Sequence, residues 1–423
     1  MEWPLIYFCK MIQFEEFYLD NGLQVIVHED PRSTLACVNL LYKVGSRNET
    51  PDKTGFAHLF EHLMFGGSKH IQNFDGPLQM VGGDNNAFTS TDITNYYITI
   101  PKDNLETAFW LESDRMLSLS FDPEVLEVQR KVVLEEFKQR YLNQPYGDIW
   151  HLLRPEAYKV HPYRWPTIGK ELSHIEEATM GQVKSFFRQF YVPNNAVLVV
   201  AGGVNLPKVK ALAEKWFGPI AQGVLPKSAI PAEPVQNAAR HLEAEEDVPS
   251  DALYYTYHMP GRLQDRYHAA DLLSDILGRG KSSYLYRALV KEKNIFSNIS
   301  GYITGSADPG LLVISGRLSE GASFEQATQG IGRILDDIVA RGISDKDLER
   351  VKNQAEASAV YGELEILNRA MSLAYGAFLD NPNLANEELD IIRAVSKSDI
   401  QEIAGEVLKE ENRTSLHYKS KAA

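Results

Sequence analysis

The sequence has few cysteines, no long apolar run and no excess of basic residues. Its 423 residues include only Cys9 and Cys37, which excludes a disulfide framework and a metal cluster held by thiolates. No apolar run approaches the roughly 20 residues that a membrane-spanning helix needs. The formal charge of −14 argues against nucleic acid as a partner, because no basic stripe is available to meet phosphate groups. We therefore expect a protein of the reducing cytoplasm that binds neither nucleic acid nor membrane.

The chain is long enough for two domains with separate cores. The apolar residues 1–10 lack a basic start and a small-residue cleavage site, so we do not expect a signal peptide, and Met11 is an alternative start. A stretch rich in proline, alanine, glutamine and glutamate is typical of a linker. We predict a first domain at 12–220, this linker at 221–248 and a second domain at 249–423.

Hairpin-type strand pairs alternate with separate helices along the chain, which indicates the α+β fold class. A predicted strand at 252–258 and a helix at 267–277 repeat the order of the strand at 38–44 and the helix that follows it. We interpret this order as an internal repeat of about 200 residues. Each half is therefore expected to hold a sheet with helices, and the helix of the second copy carries no histidines at the equivalent positions. Further predicted strands are 14–18, 23–28, 85–90, 95–100 and 196–201.

The helix predicted after the strand at 38–44 carries chemically distinctive residues. At about 100° per residue, His58, Glu61 and His62 share one face, and Gly66-Gly67 ends the helix. Two imidazoles at positions i and i+4 can hold one zinc ion, with a carboxylate beside it, and H-x-x-E-H is the inverted zincin motif. The alternative is an ordinary amphipathic helix whose solvated face holds two histidines. The opposite face is apolar: Leu59, Phe60, Leu63 and Met64.

A zinc ion held by two histidines requires a third protein ligand and an open position for water. The helix predicted at 123–140 offers Glu136 on its apolar face, where a carboxylate is costly unless it is paired or binds a metal ion. We choose Glu136 as the third ligand and keep Glu135 in reserve. The alternative is that Glu136 forms an ion pair with an arginine such as Arg130 or Arg140. The apolar face comprises Val125, Leu126, Val132, Val133 and Phe137.

This ligand set predicts hydrolysis of peptide bonds. With one Zn²⁺ on His58, His62 and Glu136, the fourth position would hold a water molecule whose pKa is lowered toward 7. Glu61 would take its proton as the general base and pass it to the leaving amine. The predicted reaction forms no covalent intermediate.

Three segments together resemble the pitrilysin/insulinase family of zinc peptidases. They are His-Leu-Phe-Glu-His at 58–62, Gln-Arg-Lys-Val-Val-Leu-Glu-Glu at 129–136 and Tyr-Val-Pro-Asn-Asn-Ala at 191–196. The resemblance extends over nearly the whole chain and is to the half-length branch, which includes bacterial zinc proteases and mitochondrial processing peptidase. It implies a zinc metalloendopeptidase with two homologous α+β domains, each a mainly antiparallel sheet covered by helices. It also implies a clam-shell dimer that encloses the cleavage chamber.

The resemblance implies roles for residues outside the zinc ligands. Residues 83–90 would form an edge strand on which Asn86, Ala87 and Phe88 bind an extended peptide substrate by strand addition. For Asn86 the alternative is an ordinary turn or edge residue. Gln129 stands where the family often has a glutamate that supports the zinc ligands without binding zinc. The loss of this glutamate puts in doubt the fine tuning of the zinc site but not zinc binding itself.

The second half departs from the family pattern. Active members carry an arginine and a tyrosine seven residues apart that hold the substrate carbonyl, and here those positions are Val290 and Ser297. The resemblance therefore implies that this chain is the zinc-bearing half of a heterodimer whose homologous partner supplies the pair. The alternative is a homodimer in which Lys291, Tyr284 or Tyr286 substitutes.

Two other functions compete with the peptidase. Some relatives of this fold are non-catalytic structural subunits, and a third possibility is a subunit that only binds peptides. Structural subunits usually lack a complete metal set, whereas this chain has His58, Glu61, His62 and Glu136. The complete set favours the peptidase.

Overall fold

The computed structural model describes residues 11–226 and 229–421, so Cys9 and the expected absence of a signal peptide in 1–10 lie outside the described residues. The chain forms two compact units that alternate along the sequence. The domain boundaries predicted at 220 and 249 stay a prediction. The first unit comprises the described residues of Met1–Phe137, Thr167–Ala229 and Ala357–Glu388, and the second those of Lys138–Pro166, Ile230–Glu356 and Leu389–Ala423.

Strands and helices account for most of the described residues. The strands are β1 (Glu15–Tyr18), β2 (Gln24–Glu29), β3 (Leu35–Tyr42), β4 (Asp84–Thr89), β5 (Thr94–Pro101), β6 (Ala196–Gly202), β7 (Arg240–Glu246), β8 (Ala252–Met259), β9 (Phe296–Ile303), β10 (Gly310–Leu318) and β11 (Arg413–Ser420). The α-helices are α1 (Phe56–Leu63), α2 (Asp75–Met80), α3 (Leu105–Leu117), α4 (Pro123–Phe137), α5 (Ile149–Ala157), α6 (Leu172–Glu176), α7 (Met180–Phe190), α8 (Leu206–Trp216), α9 (Tyr267–Gly278), α10 (Phe324–Arg341), α11 (Asp345–Gly362), α12 (Ile366–Phe378), α13 (Leu384–Ala394) and α14 (Lys397–Val407).

Each unit is built on one mainly antiparallel sheet. The strand order is β1-β2-β6-β3-β5-β4 in the first unit and β7-β11-β8-β10-β9 in the second. In both sheets one pair is parallel, β2 with β6 and β7 with β11, and the remaining pairs are antiparallel. Five strands of the first sheet thus match the second sheet in order and direction. The α+β prediction is confirmed, and the matching order supports the internal repeat.

Helix α1 packs against β4 and β5. The four apolar residues predicted for this face are buried, which confirms the predicted orientation of the helix. The Phe60 ring stacks on Tyr191 with centroids 4.9 Å apart, and the Tyr96 hydroxyl donates a hydrogen bond to the Phe60 carbonyl at 3.2 Å. This aromatic packing fixes α1 on the sheet, and the face with His58 and His62 points away from the core.

The predicted linker contains a strand that the sequence analysis missed. β7 lies within 221–248, and only Leu242 and Ala244 give it an apolar alternation. The charged residues between them make the alternation typical of a strand too weak to predict one. The segment is extended because it pairs with β11. Among the described residues, no helix combines the length and the apolar character that crossing a membrane requires.

Candidate metal centre

The first turn of α1 is held by a buried acid from the preceding loop. The Glu49 carboxylate accepts hydrogen bonds from the backbone N–H groups of Gly55 at 2.9 Å and Ala57 at 2.8 Å. Gly55 has φ +88°, a left-handed conformation that suits glycine. An acid at a helix N-terminus satisfies free N–H groups and opposes the positive end of the helix dipole. Glu49 therefore fixes where α1 begins.

The end of α1 approaches α4 closely. A Cβ atom on Gly66 would lie 2.4 Å from Cγ1 of Val125, well inside van der Waals contact. Gly67, with φ +98°, turns the chain away after the helix. Both glycines follow the end of the helix as predicted, and Gly66 also allows α4 to pack beside α1.

The packing of α4 on α1 brings the three predicted zinc ligands together. Oε2 of Glu136 lies 3.5 Å from Nε2 of His62 and 3.7 Å from Nε2 of His58. The two imidazole rings are nearly perpendicular, with centroids 4.9 Å apart. One ligand atom from each residue lies within 4.8 Å of the others. The side chains keep between 12 and 23 % of their surface exposed, so a metal ion and a water molecule can reach them.

These distances suit a zinc ion. Zinc binds imidazole nitrogen and carboxylate oxygen at about 2.0–2.2 Å, which places neighbouring ligand atoms of a tetrahedral site about 3.4 Å apart. The separations of 3.5 and 3.7 Å are close to this value. Two neutral imidazoles and one carboxylate also form a usual ligand set for catalytic zinc. The residues present therefore fit the ion that the sequence predicts.

The structure also shows the environment of residues that bear on the alternatives for the third ligand. Glu135 is exposed to solvent. Arg130 contacts Glu127 at 2.6 Å and the Ala178 carbonyl at 2.5 Å, so it is not the partner of Glu136. An ion pair with Arg140 stays an alternative.

The predicted apolar face of α4 was wrong at Val132, which is 44 % exposed. The buried residues of this helix are Leu126, Val133 and Phe137.

Glu61 lies on the same face of α1, half-buried and near the end of β4. Burial raises its pKa above the ordinary value for a glutamate, and the neighbouring Glu136 carboxylate adds to the increase. Contacts with Thr89 and the charge of His62 act in the opposite direction. A carboxylate whose pKa is raised is a stronger base than an ordinary glutamate. Thr89 was not predicted as a site residue, since nothing in the sequence pairs it with α1.

Strand β4 is an edge strand, as the resemblance implied for 83–90. The strand pairs with β5 on one side, so its other side offers backbone groups for pairing. Asn86 is exposed, and its Oδ1 accepts a hydrogen bond from the Ala87 N–H at 2.8 Å. The Phe88 side chain is 40 % exposed. An apolar ring beside a free strand edge is a feature that an extended peptide can use.

The structure also describes Gln129, Val290 and Ser297. Gln129 is half-buried on α4, two turns before Glu136. In the second unit, Val290 lies in a π-helical turn and packs against that unit's core. The Ser297 hydroxyl, on the edge strand β9, donates to the Arg317 carbonyl at 3.2 Å. The two positions where the family has arginine and tyrosine therefore carry an apolar and a small polar side chain.

Comparison with known sequences matches both halves of the chain. The family described as "Insulinase (Peptidase family M16)" matches residues 24–169, and "Peptidase M16 inactive domain" matches residues 177–355. The zinc protease PqqE of Helicobacter pylori is 33 % identical over 354 residues, which cover 82 % of this chain and 79 % of that protein. Its name supports a zinc-dependent peptidase family for this chain.

Solved structures show the same fold. A protease from Helicobacter pylori is 30 % identical, with a TM-score of 0.90 over 96 % of this chain and 99 % of that chain. The periplasmic protease PqqL from Escherichia coli is 18 % identical, with a TM-score of 0.79 over 97 % of this chain but only 48 % of its own length. The fold of this chain thus extends over nearly all of one solved chain and over about half of the other.

Proposed function

This chain belongs to the insulinase family, peptidase family M16, and we propose that it is a zinc metalloendopeptidase. The observation that carries the proposal is the position of Glu136 beside His58 and His62, at separations that suit one zinc ion. Glu61 stands on the same helix face beside a free strand edge. The proposed ligands, the proposed base and the edge strand β4 belong to the same unit, which supports the proposal.

The reaction follows from the chemistry of these side chains. When bound, zinc would lower the pKa of a coordinated water molecule and polarise the scissile carbonyl group. The Glu61 carboxylate would accept the proton of the attacking water and deliver it to the nitrogen of the leaving amine. Glu136, His58 and His62 would hold the ion in a fixed place relative to Glu61, because all four side chains are anchored on packed helices.

The substrate would be an extended peptide segment that pairs with β4. Backbone hydrogen bonds along the free edge would provide affinity without a strict sequence requirement. The Asn86 side chain would release the Ala87 N–H for this pairing, and Phe88 would contact an apolar side chain of the peptide. Gln129, on the same helix as Glu136, would support the ligand set from outside it.

We further propose that the active form is a dimer with a homologous chain that supplies the missing arginine and tyrosine. The absence of both residues at Val290 and Ser297 supports a heterodimer. The half-length match to PqqL supports pairing of two such chains. A homodimer in which Lys291, Tyr284 or Tyr286 substitutes is the second arrangement. The cytoplasm stays our prediction for its location, and the PqqL relative is described as periplasmic.

The deciding experiment measures the zinc content of the purified chain and its cleavage of a mixed library of fluorogenic peptides. A zinc ion that is lost in the His58→Ala variant, together with chelator-sensitive cleavage, would show a peptidase that is active alone. The same zinc ion with little cleavage would support the heterodimer, and adding the homologous chain should then restore the activity. Absence of zinc from the site of His58, His62 and Glu136 would contradict the proposal and favour a structural or peptide-binding subunit.

A further inference from the structure

A second group of metal-binding side chains lies at the edge of the sheet in the second unit. His241 and Glu243 are on the edge strand β7, and His417 is on the neighbouring strand β11. One ligand atom from each lies within 4.8 Å of the others. In the parallel register His241 is opposite Ser415 and Glu243 is opposite His417, so these side chains share one face of the sheet.

Successive side chains of β7 and β11 point to opposite faces of the sheet, and the face opposite these three side chains is apolar. The intervening residues of β7 and β11 pack with α5 in a small core: Leu242, Ala244, Leu416 and Tyr418. The side chains of His241 and Glu243 are 47 and 56 % exposed, so an ion from solvent can reach them. The apolar face fixes the two strands, and the polar face presents its groups in a fixed arrangement.

Hydrogen bonds select one tautomer of the His241 ring. The Ser415 hydroxyl donates to the Arg240 carbonyl at 3.1 Å, so its oxygen is the acceptor for Nδ1–H of His241 at 2.9 Å. With the proton on Nδ1, the lone pair of the neutral ring is on Nε2, which lies 3.6 Å from Oε1 of Glu243. Metal-binding histidines usually donate their other ring N–H in this way.

The other two side chains are also held. Oε2 of Glu243 accepts from the Lys419 ammonium group at 2.8 Å, which leaves Oε1 facing His241. The His417 ring stacks on Phe324 with centroids 4.4 Å apart and planes 13° apart. It meets the His241 ring edge-on at 4.5 Å. All three side chains are therefore oriented by neighbours that are not ligands.

We propose that His241, Glu243 and His417 form a second metal site, which binds a divalent late first-row ion such as Zn²⁺. Two imidazoles with one carboxylate suit zinc, nickel or copper, whereas magnesium and calcium require a larger share of oxygen ligands. Because the ligands come from two strands, the ion connects β7 to β11 and stabilises the edge of the sheet. The proposal is independent of the catalytic function proposed above, since the two sites share no residue.

The test counts zinc ions bound to the tag-free full-length chain after dialysis against Zn²⁺. We expect two ions per chain for the wild type, one for His417→Ala and one for His58→Ala. Glu243→Gln, which keeps the shape of the side chain, should weaken the second site at least tenfold. Glu245→Gln is the matched control, because it removes the same charge from an exposed position on the same strand and should leave both ions bound.

A stability measurement provides a readout that does not depend on peptide cleavage. Zn²⁺ should raise the thermal midpoint of the His58→Ala variant, because ligands that bind only the folded state stabilise it. It should not raise the midpoint when Glu243→Gln is added. If His58→Ala binds no zinc, or if the combined variant retains one ion with unchanged affinity, the second site is wrong. Peptide cleavage should be the same in Glu243→Gln as in the wild type.

Discussion

Oε2 of Glu136 lies 3.5 Å from Nε2 of His62, although Glu136 is on α4 and His62 is on a different helix, α1. The contact exists because the end of α1 has no side chain at Gly66, where α4 places Val125. A metal site made from two helices depends on their distance as much as on the ligands themselves.

The third ligand is tested by Glu136→Gln. An amide is a much weaker zinc ligand than a carboxylate, so we expect the zinc affinity of the site formed with His58 and His62 to fall by more than about a hundredfold. Zinc binding would be measured by competition with a chelating dye. Glu135→Gln, an exposed change on the same helix, is the control and should bind zinc like the wild type. Loss of zinc in the Glu135 variant, with retention in the Glu136 variant, would reverse the assignment.

The general base is tested by Glu61→Gln. The amide cannot accept the proton, so kcat should fall by about 10²–10⁴. The zinc content should stay at the wild-type level, because Glu61 is not a ligand in the proposed site. Peptide cleavage and zinc content are measured on the same preparation. Cleavage at the wild-type rate would show that another group is the base.

The approach of the two helices is tested by Gly66→Ala. The added Cβ would lie 2.4 Å from Val125 Cγ1, so α4 has to move, and we expect a loss of about 1–3 kcal/mol in the free energy of unfolding and weaker zinc binding. Adding Val125→Ala should recover part of both losses. Gly332→Ala, in α10 with no atom within 4 Å of the new Cβ, is the control and should leave stability unchanged or raise it by up to about 1 kcal/mol. Equal effects of the two alanines would mean that the contact is unimportant.

The pH dependence of stability is tested at Asp30, in the first unit. Hydrogen bonds from Arg32 at 3.1 Å and from Arg369 at 3.0 Å lower the pKa of Asp30 to about 2. The pKa in the unfolded chain is higher, so this contribution is fully present above about pH 4 and is lost as the pH falls toward 2. Because Arg32 is largely exposed, we expect only about 1 kcal/mol.

The measurement compares urea unfolding of Asp30→Asn and the wild type at pH 6 and pH 3. The wild type should be more stable by about 1 kcal/mol at pH 6, and roughly half of this difference should remain at pH 3. The control is Asp345→Asn, an exposed acid at the first residue of α11 that pairs with Lys397. A difference for Asp30→Asn that is the same at both pH values would show that the ionised carboxylate is not its source.

Much of the fold and part of the site could be predicted from short-range pattern. The two faces of α1 and the strands at 85–90 and 95–100 follow from spacings of a few residues. The pattern was insufficient at β7, where charged residues alternate with few apolar ones. It was also misleading at Val132, because apolar character does not state which neighbour covers a side chain.

The sequence by itself determined that His58, Glu61 and His62 share a helix face, since the periodicity of one helix sets that relationship. Only the tertiary structure decided that Glu136, rather than Glu135, faces the two histidines and that Thr89 contacts Glu61. It alone brought His417 beside His241 and Glu243. These residues lie on elements distant in the chain, and their separations depend on how closely backbones pack at positions such as Gly66. Local periodicity orients a side chain about its own helix or strand, whereas packing between elements sets the distance to its partner.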